Sequence, residues 1–231
     1  MKLLFVASNV MESRGLLRRC AQVRPLNLPL HWSRTGFLGD HEILLTANGA
    51  GARRAAAAVD AALASFRPDA LVSMGFCGAL DPSLAIAGIV VATTIFAGDR
   101  AFAAESPVAA PPHHLGPICS LDHVAATAAE KRGLHSTGAI AVEMEAAGVA
   151  QRAQTLGLPF FCIKSVTDLA GETMANDFNA VLRSDGRFDT IKILASSLRH
   201  PWVRLPELFR LRSRGLLAAR SLGDFIADCR F

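Results

Sequence analysis

The 231 residues are 51% hydrophobic, enough to fill one α/β core, and no apolar run is long enough to span a bilayer. The formal charge of +4 sits at one end: residues 199–231 carry seven arginines against three acids, while the rest balances 17 basic with 17 acidic residues, so a general nucleic-acid-binding surface is not expected. Five widely spaced cysteines, mostly in apolar surroundings, read as reduced core residues of a cytosolic protein, not as a disulfide framework or a zinc site.

Residues 2–8 are a continuous apolar run of strand length, read as the first core strand and not as a secretory signal because Glu12 and Arg14 follow at once. A helix-like segment covers 11–23. Glu12 stands just past the carboxyl end of that strand, where it reads equally as a first-turn helix acid or as a group facing a ligand. Residues 28–38 and 42–47 read as two strands joined at Gly39 and Asp40. The segment NGAGARR at 48–54 leads into an Ala-rich helix over 52–66. A glycine turn at a helix N-terminus can hold an anion, or its glycines only let the chain turn.

Residues 70–76 form the next strand, running into GFCGAL at 75–80, and 87–94 forms another. Glycines at a strand end let backbone approach a ligand closely, or simply permit a bend. Residues 97–115 contain Pro107, Pro111, Pro112 and the pair His113 and His114, and read as a loop serving as a lid or a subunit contact. No carboxylate or cysteine stands at metal-ligand spacing from the histidines. A short strand over 118–122 and a short helix over 125–134, with Glu130 and Lys131 exposed, precede residues 141–171.

That stretch is a strand, helix, strand unit with acids at two strand ends: Glu143 and Glu145 bracket Met144, and Thr167 and Asp168 close the second strand. Open α/β sheets bind ligands at the carboxyl ends of their strands, which would put these acids on one edge with Glu12. Taken singly, each could as well favour a helix start or begin a turn. A polar loop over 170–177 and a helix within 178–198 lead to the tail, where Leu205, Leu208, Phe209 and Leu216 form an apolar stripe among arginines. Such a helix either covers the sheet or lies on an anionic membrane surface.

GFCGAL at 75–80, GIVV at 88–91, VEMEA at 142–146 and VTD at 166–168 occur in one characteristic order. Through them residues 1–180 resemble the superfamily of purine nucleoside phosphorylases and methylthioadenosine/S-adenosylhomocysteine nucleosidases. The short length, the abbreviated middle loop and the Leu/Arg-rich end are most similar to its hopanoid-associated subgroup. The resemblance implies a single-domain three-layer α/β/α sandwich around a mixed β-sheet. A catalytic domain over 1–198 would be followed by a basic helical tail over 199–231, within that domain or facing a membrane.

It further implies cleavage of the bond between a ribosyl carbon and a purine, without a cofactor. Adenine would leave a 5′-substituted adenosine, adenosylhopane in the hopanoid-associated case. Glu145 would take the ribose hydroxyls, Met144 would pack on the sugar, and Glu143 would support them. Asp168 would protonate purine N7, with Thr167 keeping the hydroxyl of the serine common beside it. Gly75, Phe76, Cys77 and Gly78 would bring backbone amides to the sugar or nucleophile. Val124 and Ala125 would flank the base, with Val124 in place of an aromatic. A buried carboxyl kept protonated by desolvation can act as the acid while another stays an ionised acceptor.

Glu12 would activate water in a hydrolase. A phosphorylase would use phosphate as cosubstrate in a cationic cradle, and its common arginine is replaced here by Ser73, which favours water. Arg53, Arg54 or a neighbouring subunit remain as other sources of charge. A non-catalytic purine-binding member of the fold is the third alternative. The partners implied are a nucleoside, lipid-linked in the hopanoid case, a second copy in a homo-oligomer, and a membrane touched by the tail of a cytoplasmic protein.

Overall fold

The first apolar run lacks polar alternation because its strand is covered on both faces: Leu3, Leu4, Phe5 and Val6 have no exposed surface. In the computed structural model, which describes residues 1–108 and 111–231, this run is β1 (Lys2–Ala7) at the centre of a mixed sheet. There follow α1 (Val10–Leu17), β2 (Ala21–Pro25), β3 (Trp32–Leu38), β4 (His41–Ala47), α2 (Ala52–Leu63), β5 (Ala70–Ala79), β6 (Ile89–Ala97) and β7 (Arg100–Ala103). The chain continues through β8 (His114–Ser120), α3 (Ala128–His135), β9 (Ala141–Glu143), α4 (Ala146–Leu156), β10 (Phe160–Asp168), α5 (Thr190–Ser197) and α6 (Pro201–Ala227).

β1 lies parallel between β4 and β5, and β10 lies parallel to β5. The carboxyl ends of β1, β5 and β10 therefore share one edge, the edge that strand polarity assigns to ligands. β10 also pairs antiparallel with β6, and the path β6, β8, β9 returns to β5, so half of the sheet closes on itself. The register between β5 and β10 slips between Val166 and Asp168, a bulge that re-aims Thr167 and Asp168 at the strand end.

The architecture is the three-layer α/β/α sandwich expected. On one face the Ala-rich α2 and α4 pack against each other and the sheet through Ala55, Ala58, Val59, Ala147, Val149 and Ala150. Gly148 is pressed against the backbone of Ala52, a contact that no side chain would permit. α4 stops at Gly157, whose φ of 66° suits glycine, and the Leu158 amide closes the end on Ala153 O at 3.0 Å. On the other face α1 and α6 cross at Gly15 and Gly223, again backbone against backbone. The second half of α6 is core: Leu222, Phe225 and Ile226 pack with Phe5, Leu16 and Phe161. Burying each such side chain contributes about 1.5–3 kcal/mol.

Several expected elements change. Residues 97–115 are not one loop, because Ile89–Ala97 and Arg100–Ala103 form a hairpin and His114 already belongs to β8. Ala109 and Ala110 of that stretch lie outside the described residues. His113 packs edge-on against Phe225, with ring centroids 5.3 Å apart. The expected apolar stripe of the tail is divided: Leu205 and Leu208 are half-buried, while Phe209 and Leu216 face solvent. Among the described residues no helix is long and apolar enough to cross a membrane.

Candidate active site

Asn9 caps α1 by accepting the Met11 amide at 2.9 Å. Glu12, one turn in, folds back to accept the Ser8 amide and hydroxyl, each at 2.8 Å, and the Asn9 amide at 3.4 Å. One side chain thus fills both roles open to it, because the same carboxyl forms part of a cavity wall. Burial raises its pKa, partly countered by Lys164 and by the bonds from Ser8 and Asn9. Its space comes from Gly75, at φ 145°, where a Cβ would stand 2.8 Å from Oε2. Gly78 does the same for Asp168, since a Cβ there would stand 2.8 Å from Oδ2. Gly75 therefore sits behind Glu12 and does not itself line the cavity.

The glutamates of VEMEA lie over a fully buried lysine. Glu143 ends β9 and accepts the amides of Glu145 at 2.9 Å and Ala146 at 2.9 and 3.0 Å, capping α4, while Lys164 Nζ stands 2.8 Å from its Oε2. Lys164 Nζ is also 4.0 Å from Glu145 Oε2. Burial first, then the neighbouring Glu143, pushes the Glu145 carboxyl up to about 8, against the opposing pull of Lys164. The direction of this shift favours the protonated carboxyl over the ionised acceptor expected. Burial lowers the pKa of Lys164, but the surrounding acids, Glu143 first, outweigh it and leave the lysine firmly charged.

In the glycine segment at 48–54 the amides of Gly49, Ala50 and Gly51 are already taken. Gly49 N bonds Ser8 O at 2.8 Å, Ala50 N bonds Gly186 O at 2.8 Å, and Gly51 N bonds Glu145 Oε1 at 3.0 Å. The group held at the start of α2 is the protein's own Glu145.

Asp168, at the end of β10, is held from two sides. Thr167 Oγ1 lies 3.2 Å from Oδ1, and Lys131 Nζ bonds Oδ2 while also reaching Leu169 O at 2.9 Å. Burial raises the Asp168 pKa and Lys131 opposes it, with the net direction upward. Lys131, expected on the exposed side of its helix, is completely buried: α3 turns it inward to meet an acid 37 residues away. Cys77, beside Asp168, is an inert thiol whose pKa burial drives well upward.

Residues 173–188 close over this edge. Met174 N bonds Ala126 O at 2.8 Å, Thr173 Oγ1 accepts the Ala128 amide at 3.0 Å, and Asn179 clamps both backbone groups of Val124 at 2.8 and 2.9 Å. Glu172 anchors the same segment to α6 through Arg214, at 2.7 and 3.0 Å.

The result is one cavity of about 400 Å³. It gathers Glu12, Glu143, Met144, Glu145, Thr167 and Asp168 with Phe76, Cys77, Gly78, Val124 and Ala125. Three expected sources of contrast lie elsewhere. Ser73 is buried within β5, Arg53 is exposed on α2, and Arg54 is spent on the Ser184 carbonyl. Reading the sequence missed the apolar wall of Met11, Met174, Phe178, Phe188 and Leu211, together with Arg212 at the rim. It also missed Lys164, whose one available signal was a lone charge inside an apolar strand. Among the described residues no three His, Cys, Asp or Glu side chains gather to hold a metal.

The 5′-methylthioadenosine/S-adenosylhomocysteine nucleosidase of Staphylococcus aureus is 26% identical over 195 residues, covering 71% of this chain and 86% of that protein. In fold, the Streptococcus pneumoniae MTA/SAH nucleosidase in complex with 8-aminoadenine superposes with a TM-score of 0.74 at 19% identity, covering 99% and 98% of the two chains. A futalosine hydrolase mutant of Helicobacter pylori superposes with a TM-score of 0.72 at 16% identity, covering 98% and 96%. The named relatives are hydrolytic enzymes, and the family model described as the phosphorylase superfamily matches residues 33–108 and 99–188; the chain belongs to that superfamily.

Proposed function

We propose that this enzyme, which acts on N-glycosyl bonds, is a nucleosidase that releases adenine from a 5′-substituted adenosine by attack of water. One observation carries the choice of water: Glu12, Glu143 and Glu145 converge on a single lysine already engaged by Glu143. A phosphate dianion entering there would meet an excess of carboxyls, whereas a water molecule needs one as its base.

In this reading Glu12 takes a proton from water as the oxygen adds to the anomeric carbon. Its raised pKa makes it the stronger base in its ionised form. Asp168 delivers a proton to purine N7, so the electron pair of the breaking C–N bond leaves with a neutral base. Glu145, protonated and anchored to Gly51 N, can both donate to and accept from the ribose hydroxyls, and Met144 packs beneath the sugar. Val124 and Ala125 flank the base, with Val124 fixed by Asn179.

The wall of Met11, Met174, Phe178, Phe188 and Leu211 supports an apolar 5′ substituent, of which the hopane chain of the hopanoid-associated subgroup is the large extreme. Adenine release should persist after rigorous removal of phosphate and should yield a free ribosyl hydroxyl product. Strict dependence on phosphate, with a ribose 1-phosphate product, would replace hydrolysis by phosphorolysis. Lengthening the 5′ alkyl group of the substrate should raise kcat/KM; a steady fall would reject the apolar subsite.

A further inference from the structure

The face that α5 and the start of α6 turn to solvent carries side chains usually found inside. Ile191, Leu198, Trp202, Val203 and Phe209 are each more than half exposed, Trp202 by 91%. Single exposed apolar residues are ordinary, but a contiguous set marks an interaction surface. Ile191, Leu194 and Leu198 recur at steps of three and four along α5 and its C-cap, while Trp202, Phe209 and Leu216 recur at steps of seven along α6. Each set therefore lies along one side.

The charge around this set has one sign. Between Thr190 and Ser221 stand seven lysines and arginines and a single acid, Glu207. That acid is buried, its carboxylate taking the amides of Ala175 and Asn176 at 2.8 Å each. Four of the cations have partners within the protein: Arg214 meets Glu172, Arg204 donates to Ser196 O at 2.9 Å, and Arg210 and Arg220 stand 3.9 Å from Glu207 and Asp224. Lys192, Arg199 and Arg212 are exposed and, among the described residues, form no ion pair.

We propose that this face docks the protein on an anionic bilayer surface. A second copy meeting it about a two-fold axis would set cations against cations. An anionic lipid layer satisfies both features, taking the apolar side chains into the headgroup boundary and neutralising the cations. Phe188 lies two residues before α5, separated from it by the cap Asp189, and Arg212, one turn beyond Phe209, lies at the cavity rim. Docking would therefore turn the cavity mouth toward the lipid. This orientation gains its meaning from the proposed apolar 5′ substrate; the docking itself does not depend on it.

Trp202 provides the readout. In full-length Trp32→Phe protein it is the sole tryptophan. Vesicles of phosphatidylcholine with phosphatidylglycerol should sediment the protein and shift Trp202 emission to the blue, and pure phosphatidylcholine vesicles should do neither. Replacing Lys192 and Arg199 by glutamine should weaken partition about fivefold per charge. Ile191→Ser with Leu198→Ser should weaken it further without changing the melting temperature, since both side chains are exposed.

Equal partition onto neutral and anionic vesicles, or undiminished binding by these variants, would overturn the proposal. So would a blue shift on raising protein concentration without vesicles, which would assign the face to a second copy. Adenine release from a small soluble 5′-substituted adenosine is scored separately. Its absence in the wild type would remove the nucleosidase reading and leave docking standing.

Discussion

Two lysines lie completely buried beneath one cavity, and they differ in how many carboxyls they serve. Lys164 faces Glu143, Glu145 and the field of Glu12, whereas Lys131 bonds a single carboxyl, that of Asp168. One cation cannot hold three ionised carboxylates away from water, so protons make up the deficit, and Glu145 rises to about 8. At Lys131 the charges match one to one, yet burial still raises the Asp168 carboxyl. The Lys164 end of the cavity, proposed here for the sugar, is thus a shared proton store. The Lys131 end, proposed for the base, is a single acid with its own counter-ion.

The sharpest break in that comparison is Asp168→Asn. Asparagine can still hydrogen-bond N7 but has no proton to give, so kcat should fall about 10³-fold with a much smaller change in KM. Steady-state adenine release at saturating substrate measures it; an unchanged kcat would detach the base end from the chemistry. Next is Lys164→Met, which leaves Glu143 buried without its cation. Unfolding free energy should drop by about 3 kcal/mol, read as a lower urea midpoint at constant slope. An unmoved midpoint would mean that protons alone hold the cluster together.

The carboxyl half of this contrast was legible in the sequence and the lysine half was not. Glu12 and Asp168 announce themselves because strand polarity sends the ends of β1 and β10 to one edge, whereas Glu145 follows β9, which runs antiparallel to β5 and reaches the site against that polarity. Lys131 follows Glu130 on a short helix with polar neighbours, a pattern that reads as solvated, and its partner is remote in sequence. Lys164 sits in an apolar strand, and the propensities of that strand say nothing about a cation beneath three acids. Residues 173–188 carry no helical or strand period, so the cover they form, including Phe178 and Phe188, follows only from tertiary hydrogen bonds such as Asn179 to Val124. The tail was half legible: periodicity found an apolar stripe, but the crossing of Gly15 with Gly223 decides which side of α6 is buried.

A smaller effect separates the two lysines by pH. In Lys131→Met the Asp168 carboxyl loses its counter-ion while its burial is unchanged, so its pKa should rise. The alkaline limb of kcat/KM should then move up by about one unit, because the acid stays protonated longer, and Lys131→Arg should restore the wild-type profile. A Lys131→Met profile that falls in height without moving would give the lysine a purely structural part.

The smallest effect concerns stability and the proton store itself. Glu145 holds its proton up to about 8 when folded, against an ordinary 4.5. The folded state therefore binds the extra proton between those values, and stability falls as pH rises through that window. The contribution of Glu145 is complete below about 4.5 and gone above about 8. Glu172, lowered chiefly by its bond from Arg214, works in the opposite sense, but its loss comes only as pH falls below the ordinary carboxylate range. His123, raised first by Asp122, adds a decline of its own in the same window. The informative quantity is accordingly the difference between wild type and Glu145→Gln, which cannot titrate at this position. Melting temperatures from pH 5 to pH 8 should fall more steeply in the wild type. Parallel curves would show that the carboxyl is ionised throughout, and that Lys164, not a proton, neutralises it.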